Sequence, residues 1–108
     1  MRTSHLQKLR ARSCSMQGGI CFYCHRPMGK DVTAEHLLAR MDGGKNTRSN
    51  VVAACRRCNA LRHGLFPGAA PDPETYQAFV LLMRAAGLWG NEAGASGTRR
   101  ARAVDPVQ

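Results

Sequence analysis

Four cysteines stand in two pairs, each with two residues between its members. The pairs are Cys21 with Cys24, and Cys55 with Cys58. Two Cys-x2-Cys pairs supply four thiolates to one tetrahedral zinc ion. A zinc ion bound by four sulfurs has no open coordination position, so it stabilises structure and takes no part in catalysis. The spacing therefore predicts a structural zinc site.

Four other polar residues have the types that bind a second metal and activate water: Glu35, His36, Asn59 and His63. Asn59 and His63 are four positions apart, so on a helix they share one face. If the strand of Glu35 packs on that helix, Glu35, Asn59 and His63 could surround one divalent cation with His36 beside it. An imidazole can take a proton from water near neutral pH. Glu35 and His36 are neighbours, and neighbours on a strand point to opposite faces. At the end of a strand that rule relaxes, so both side chains could line one cleft.

The ligand types leave the identity of this second cation open. Oxygen ligands suit Mg²⁺ or Mn²⁺, whereas an imidazole shifts the preference towards Mn²⁺, Ni²⁺ or Zn²⁺. The alternative is that His36 and His63 are ordinary polar residues beside a zinc-binding fold. Residue types and spacing do not decide between the two interpretations.

The elements that must position these residues can be outlined from the pattern of apolar residues. Leucines three positions apart predict an amphipathic helix over 3–16, which Gly18 and Gly19 end. Residues 20–29 are typical of a zinc knuckle. A strand over 31–38, an exposed loop over 39–50 and a buried strand over 51–54 follow. The next helix begins near Cys55, and Gly64 ends it.

A linker over 65–71 leads to a last predicted helix over 73–87. Asp72 as N-cap and Pro73 at the first helical position mark its start. We expect it to cover the zinc-bound unit, with Leu88 and Trp89 packing back after Gly87. Residues 1–89 thus form one domain with its core in 18–65, and 90–108 form a basic tail that we expect to be disordered.

The charge and the cysteine content indicate a class of partner and a compartment. The 108 residues carry a formal charge of +9, and four thiolates on one Zn²⁺ would leave about +7. This excess favours nucleic acid as a partner. No signal segment or membrane span is expected, so we predict a cytoplasmic protein in which cysteine pairs bind metal and do not form disulfides. Cys14, outside both pairs, is interpreted as a packing residue.

Several motifs together resemble the HNH endonuclease family, also called ββα-metal or His-Me finger nucleases. They fall in the family's order over about residues 18–65: Cys-x2-Cys, Glu-His-Leu-Leu, Gly-Gly-Lys-Asn, Ser-Asn-Val-Val-Ala-Ala-Cys, Arg-Arg-Cys-Asn and His-Gly. The resemblance implies an α+β fold of the small ββα-metal type, stapled by the four-cysteine zinc and flanked by N- and C-terminal helices.

The resemblance also implies roles for single residues. His36 matches the general base and Glu35 the acidic metal ligand before it. Asn50 matches the residue that braces the loop and holds the base in orientation. Asn59 matches a metal ligand, and His63 a ligand or phosphate contact. The family more often has Asp at the position of Glu35, commonly has Pro soon after the base, and often has Lys or Asn at the position of His63.

The function that follows is hydrolysis of a DNA phosphodiester with one divalent metal and a histidine base, as nicking or weakly specific cleavage. Basic residues between and after the cysteine pairs are expected to contact phosphates: Arg40, Lys45, Arg48, Arg56, Arg57 and Arg62. A monomer or weak dimer encoded by a bacterium or phage is expected. The alternatives are a zinc-finger module that binds DNA without cutting it, and an accessory subunit of a DNA-processing complex such as phage packaging.

Overall fold

The computed structural model describes residues 4–65 and 68–90. These residues form three α-helices, one short 3₁₀ turn at Arg40–Asp42 and a two-stranded antiparallel sheet. The predicted α+β class is confirmed. In chain order the main elements are α1 (His5–Met16), β1 (Thr33–His36), β2 (Val51–Ala54), α2 (Arg56–Gly64) and α3 (Pro73–Ala85).

Parts of three expectations fall outside the described residues. These are the first residue of the helix predicted over 3–16, residues 66–67 of the predicted linker, and all of the predicted tail after Gly90. In the part of the chain that the structure describes, no helix has the length and apolar character that a bilayer crossing requires.

Helix α1 is delimited by its own sequence and is tied to the sheet by polar side chains. Ser4 and Gln7 form a reciprocal capping box at its start. Ser13 Oγ, buried on the sheet side, donates to Val51 O at 2.8 Å. Gln17 Nε2 donates to Ala53 O at 2.8 Å, and Ala53 N donates to Gln17 Oε1 at 2.9 Å. The helix is therefore attached to β2 through hydrogen bonds at its C-terminal half.

Strands β1 and β2 pair antiparallel, with Thr33 opposite Ala54 and His36 opposite Val51. The two apolar residues at the end of β2, Ala53 and Ala54, are fully buried. β2 leads directly to Cys55, whose side chain caps the start of α2. The short hairpin thus delivers one cysteine pair to a helix N-terminus while β1 presents Glu35 and His36.

The knuckle before the hairpin is held by backbone hydrogen bonds. Cys21 N donates to Arg26 O at 2.9 Å, and Phe22 N donates to Ala53 O at 3.0 Å. His25 adopts a left-handed backbone conformation with φ of 60°. This turn folds Cys24 back towards Cys21 and joins both to β2.

Helix α3 packs on the knuckle and on α2, as the sequence predicts. Tyr76 Oη donates to Cys58 O at 2.8 Å, Gln77 Nε2 to Phe22 O at 2.6 Å, and Arg84 Nη1 to Cys24 O at 2.6 Å. Val80 lies in the same buried cluster. Three backbone carbonyl oxygens in the cysteine segments therefore accept hydrogen bonds from side chains of α3.

The expectation for the two residues after Gly87 is only half right. Trp89 is buried at 5% exposure and meets Tyr76 and Phe79 edge to face, so it packs back as predicted. Leu88 is 67% exposed, so its predicted packing is wrong. Gly87 has φ of 74°, and this left-handed turn directs the following backbone so that the indole, and not the leucine, reaches the core.

The loop between the strands depends on a glycine. A Cβ at Gly44 would overlap the backbone carbonyl of Leu38, whereas a Cβ at Gly64 would meet no atom within 4 Å. We expect Gly44→Ala to lower the free energy of unfolding by about 1–3 kcal/mol, because backbone cannot move aside as a flexible side chain can.

The matched variant is Gly64→Ala, which we expect to preserve or raise stability because alanine favours a helix by up to about 1 kcal/mol over glycine. Urea denaturation followed by circular dichroism measures both. Equal effects of the two substitutions would contradict the close approach at Gly44.

Candidate functional site

The four paired cysteines converge on one point. The sulfur atoms of Cys21, Cys24, Cys55 and Cys58 all lie within 4.8 Å of one another. Zinc–sulfur bonds of about 2.3 Å place the sulfurs of a tetrahedral site about 3.8 Å apart. Three of the four residues are buried, with Cys55 partly exposed. The cluster therefore fits one tetrahedral metal ion such as zinc.

The surroundings of the sulfurs favour negative charge. Cys21 Sγ accepts hydrogen bonds from Tyr23 N at 3.4 Å and Cys55 N at 3.3 Å, and Cys55 Sγ accepts one from Cys58 N at 3.5 Å. Hydrogen bonds from Cys24 and the other two thiols lower the pKa of Cys21 far below its usual range.

Two of the other thiols shift in the opposite direction, whereas the pKa of Cys24 is lowered to about 7, because the raising effect of its hydrogen bond with Cys21 is outweighed by hydrogen bonds from Cys55 and Cys58. Bonding to Cys21 and its partners raises the pKa of Cys55 and of Cys58 well above the ordinary value. Four sulfurs at this separation cannot all be thiolates on their own, because like charges in contact repel. A divalent cation removes that conflict, and this supports the cluster as a metal site.

Glu35 is a buried acidic residue with 1% of its surface exposed, and both of its carboxylate oxygens have partners. Its Oε2 accepts hydrogen bonds from Tyr23 Oη at 2.8 Å and from Arg62 Nη1 at 2.7 Å. Its Oε1 lies 2.9 Å from His63 Nε2. Burial and the adjacent carboxylate raise the pKa of Tyr23 above its ordinary value, so this phenol stays a donor. One oxygen is thus fixed inside the protein, and the other faces His63.

Arg62 does not occupy the position expected of a phosphate contact. Its side chain is only 4% exposed and is used entirely within the chain. Besides Glu35, it donates to His36 O at 3.1 Å, to Leu37 O at 2.9 Å and to Pro71 O at 2.9 Å. The expectation that Arg62 binds DNA is therefore corrected. Removing a partner from such a buried pair costs about 3–5 kcal/mol.

His36 lies next to Glu35 in sequence but has a separate set of partners. Its Nε2 is 2.8 Å from Asn46 Oδ1. A carbonyl oxygen only accepts, so Nε2 is the donor in this hydrogen bond. Within residues 4–65 and 68–90, the structure records no hydrogen bond to Nδ1. The second ring nitrogen of His36 is therefore not engaged by the described residues.

Asn50 braces the loop, and Asn46 contacts His36. Asn50 Oδ1 accepts from Leu38 N at 2.7 Å, and its Nδ2 donates to Leu38 O and to Lys45 O, both at 3.0 Å. These bonds close the segment that carries Asn46. The resemblance implies that Asn50 orients His36. In the structure Asn46 makes the contact with His36, and Asn50 acts only indirectly, by fixing the loop that carries Asn46.

Asn59 and His63 lie one helical turn apart on α2, as the spacing predicts. Asn59 Nδ2 donates to Thr33 Oγ1 at 2.9 Å and to Ala34 O at 3.3 Å, so it contacts the start of β1. His63 reaches Glu35 with a side chain that is 35% exposed. The structure thus joins Glu35 to His63, while Asn59 and His36 each contact other partners.

The separation of Glu35 Oε1 and His63 Nε2 is compatible with a shared divalent cation. Metal–ligand bonds of about 2.1 Å in octahedral geometry place neighbouring ligand atoms about 3 Å apart. The observed distance between these two atoms is 2.9 Å. A carboxylate oxygen and an imidazole nitrogen are also the donor types that first-row divalent metals accept. The same 2.9 Å is an ordinary hydrogen-bond distance, so in a shared site the cation would take the place of the proton between the two atoms.

The remaining predicted phosphate contacts lie on the surface: Arg40, Lys45, Arg48, Arg56 and Arg57. Two of them have defined partners. Arg56 Nε lies 3.6 Å from Asp31 Oδ1, and the guanidinium of Arg57 lies 5.4 Å from the ring centre of Trp89. Both are exposed cations that remain accessible to a polyanion.

Sequence reasoning does not predict three side-chain contacts at the candidate site: those of Tyr23, Asn46 and Arg62. Asn46 belongs to the Gly-Gly-Lys-Asn motif, so its position within the family pattern is a usable signal. Tyr23 lies between two of the clustered cysteines, where a buried tyrosine requires a partner for its hydroxyl. Nothing in the order of residues distinguishes the buried Arg62 from the exposed Arg56 and Arg57.

Comparison with known families agrees with the resemblance read from the motifs. Residues 21–63 match the family described as HNH endonuclease. The matched segment is less than half of the chain, and it contains both cysteine pairs and the polar site. A search of curated proteins gives no significant match.

We expect two cysteine substitutions to differ in their effects on bound zinc and on folding. We expect Cys58→Ser to lose bound zinc and to unfold, because the free energy of metal binding is part of the free energy of folding. Cys14→Ser is the matched control, since Cys14 is not among the four clustered sulfurs, and it should retain about one zinc per chain.

Zinc content by elemental analysis and far-ultraviolet circular dichroism measure the two effects. A folded Cys58→Ser protein with a full complement of zinc would contradict the assignment of the cluster.

Proposed function

We propose that this chain is a metal-dependent DNA endonuclease that hydrolyses phosphodiester bonds. The match of residues 21–63 to the HNH endonuclease family supports nuclease activity and DNA as the substrate. The observation that carries the chemistry is the contact between Glu35 Oε1 and His63 Nε2, on adjacent elements. His36 follows Glu35 in the chain, and no hydrogen bond to its Nδ1 is recorded among the described residues.

Glu35 and His63 would hold the divalent cation, and Asn59 is the candidate for a further ligand from the same helix. The amide nitrogen of Asn59 is already engaged with β1, which leaves its Oδ1 as the atom able to bind a cation. The chemistry that a divalent cation supplies in such a site is polarisation of the scissile phosphate and stabilisation of the departing 3′ oxygen. Mg²⁺ and Mn²⁺ are the proposed ions.

His36 would act as the general base. Its Nε2 proton is donated to Asn46 Oδ1, so Nδ1 can accept a proton from a water molecule that attacks phosphorus. The positive charge that develops on the ring is stabilised by the amide oxygen of Asn46. Attack in line with the 3′ oxygen leaves a 5′-phosphate and a 3′-hydroxyl, the products that the family resemblance implies.

The exposed cations support binding of DNA through its phosphates. Contacts of this kind give affinity and orientation but little sequence preference. The proposed contacts are Arg40, Lys45, Arg48, Arg56 and Arg57, without Arg62. We therefore propose nicking or weakly sequence-specific cleavage as the activity.

One observation favours a second function, that of a zinc-binding module that binds DNA and does not cut it. Glu35 already has three partners, and two of them, Tyr23 and Arg62, are buried with it. If this ion pair serves stability alone, the carboxylate never binds a cation. Incubation with supercoiled plasmid and Mn²⁺, with and without a chelator, separates the two functions, because only the nuclease converts plasmid to nicked or linear DNA.

Replacement of the proposed base is the sharpest test of the mechanism. We expect His36→Ala to lower the rate of plasmid cleavage by about 10²–10⁴-fold, the usual contribution of a general base. Zinc content and the melting temperature should remain close to those of the unsubstituted protein, because His36 is only partly buried.

The matched control is His25→Asn. His25 is an exposed histidine with φ of 60°, a conformation that asparagine tolerates. The His25→Asn variant should cleave plasmid at the rate of the unsubstituted protein. If His36→Ala cleaved as fast as His25→Asn, the role of His36 would be refuted, whereas DNA binding without cleavage by the unsubstituted protein would establish the second function.

A further inference from the structure

Tyr23 and Arg62 both contact a single oxygen of Glu35, and the sequence predicts neither contact. Tyr23 Oη and Arg62 Nη1 donate to Oε2 at 2.8 Å and 2.7 Å. Tyr23 has no exposed surface and Arg62 has 3%. Neither side chain can reach DNA, so any influence on the reaction must pass through Glu35.

We propose that Tyr23 and Arg62 are positioning residues that hold Oε2 of Glu35, so that Oε1 alone is presented to a divalent cation shared with His63. This inference rests on the proposed function, because it assigns a purpose to the surroundings of the same carboxylate. Two donors on one oxygen fix the rotation of the carboxyl group. This prepares Oε1 as a ligand before the cation arrives.

The position of Tyr23 is set by the cysteine cluster. Tyr23 lies between Cys21 and Cys24, and its backbone N–H donates to Cys21 Sγ at 3.4 Å. Its ring packs edge to face on Phe22 and Tyr76, with ring centres 5.1 and 4.9 Å apart. The convergence of the four sulfurs therefore also fixes the position of the hydroxyl that donates to Glu35, and a metal bound there would strengthen this.

Arg62 completes the arrangement from the opposite side. Its guanidinium also donates to the carbonyl oxygens of His36 and Leu37, at the end of β1. The same side chain thus fixes the carboxylate of Glu35 and the backbone that carries His36. It sets the relative position of the proposed ligand and the proposed base, a task that a solvent-exposed arginine could not perform.

The test is calorimetric titration of Mn²⁺ into the zinc-loaded protein, which reads cation binding without relying on cleavage. We expect Tyr23→Phe, which removes one oxygen atom, to weaken Mn²⁺ binding by about 10–100-fold, the usual effect of losing a group that orients a metal ligand. Arg62→Lys keeps the positive charge but loses the planar guanidinium that donates to several acceptors at once, so it should also weaken Mn²⁺ binding. If Tyr23→Phe does not fold, Arg62→Lys tests the same proposal.

The matched control is Tyr76→Phe. Tyr76 Oη donates to the backbone carbonyl of Cys58 and belongs to the same buried cluster, so its loss perturbs the core while both donors to Glu35 Oε2, Tyr23 and Arg62, remain. Its affinity for Mn²⁺ should stay within about twofold of that of the unsubstituted protein. Zinc content and circular dichroism confirm that each variant is folded.

A further variant, His63→Ala, separates failure of this inference from failure of the proposed function. If His63→Ala abolishes Mn²⁺ binding while Tyr23→Phe binds as tightly as the unsubstituted protein, the positioning role is overturned and the cation site remains. Equal weakening by Tyr23→Phe and Tyr76→Phe also overturns it, as general loosening of the core. Absence of Mn²⁺ binding in the unsubstituted protein, or binding that His63→Ala leaves intact, overturns both proposals.

Discussion

The convergence of four sulfur atoms is the constraint on which the rest of the structure depends. The buried apolar cluster of the described residues is small and includes Cys21, Cys24 and Cys58, so the cysteines are part of the core itself. Here the cluster joins the knuckle to the junction between β2 and α2, so that one interaction sets the hairpin, the helix and their relative position. Helix α3 then packs on the carbonyl groups of the same cysteines.

The polar site is built outward from that cluster. Tyr23 connects the knuckle to Glu35, and α2, whose N-cap is Cys55, carries Arg62 and His63 to the same carboxylate. An isolated buried carboxylate would be very costly, but here two donors and a histidine surround it. Structural metal binding and the proposed catalytic chemistry are therefore linked through a few hydrogen bonds and not merely placed in the same domain.

Much of this arrangement is predictable from the sequence, because its signals are local. Cysteine spacing gives the cluster, the capping residues Ser4 and Asp72 mark helix starts, and β2 was placed at 51–54, where the structure has it. Whether a charged side chain is buried depends on segments that lie far away in the sequence. Arg62 follows Arg56 and Arg57 on the same helix, and only the packing of β1 and the Pro71 segment against α2 makes one of them internal. The partner of His36 likewise depends on how the loop closes.

Anomalous X-ray scattering from crystals of the zinc-loaded protein soaked in Mn²⁺ tests the central claim most directly, because it locates each metal without reference to activity. The account predicts a zinc peak among the sulfurs of Cys21, Cys24, Cys55 and Cys58, and a manganese peak in contact with both Glu35 Oε1 and His63 Nε2. Manganese bound elsewhere, with Glu35 still bonded directly to His63, would contradict it.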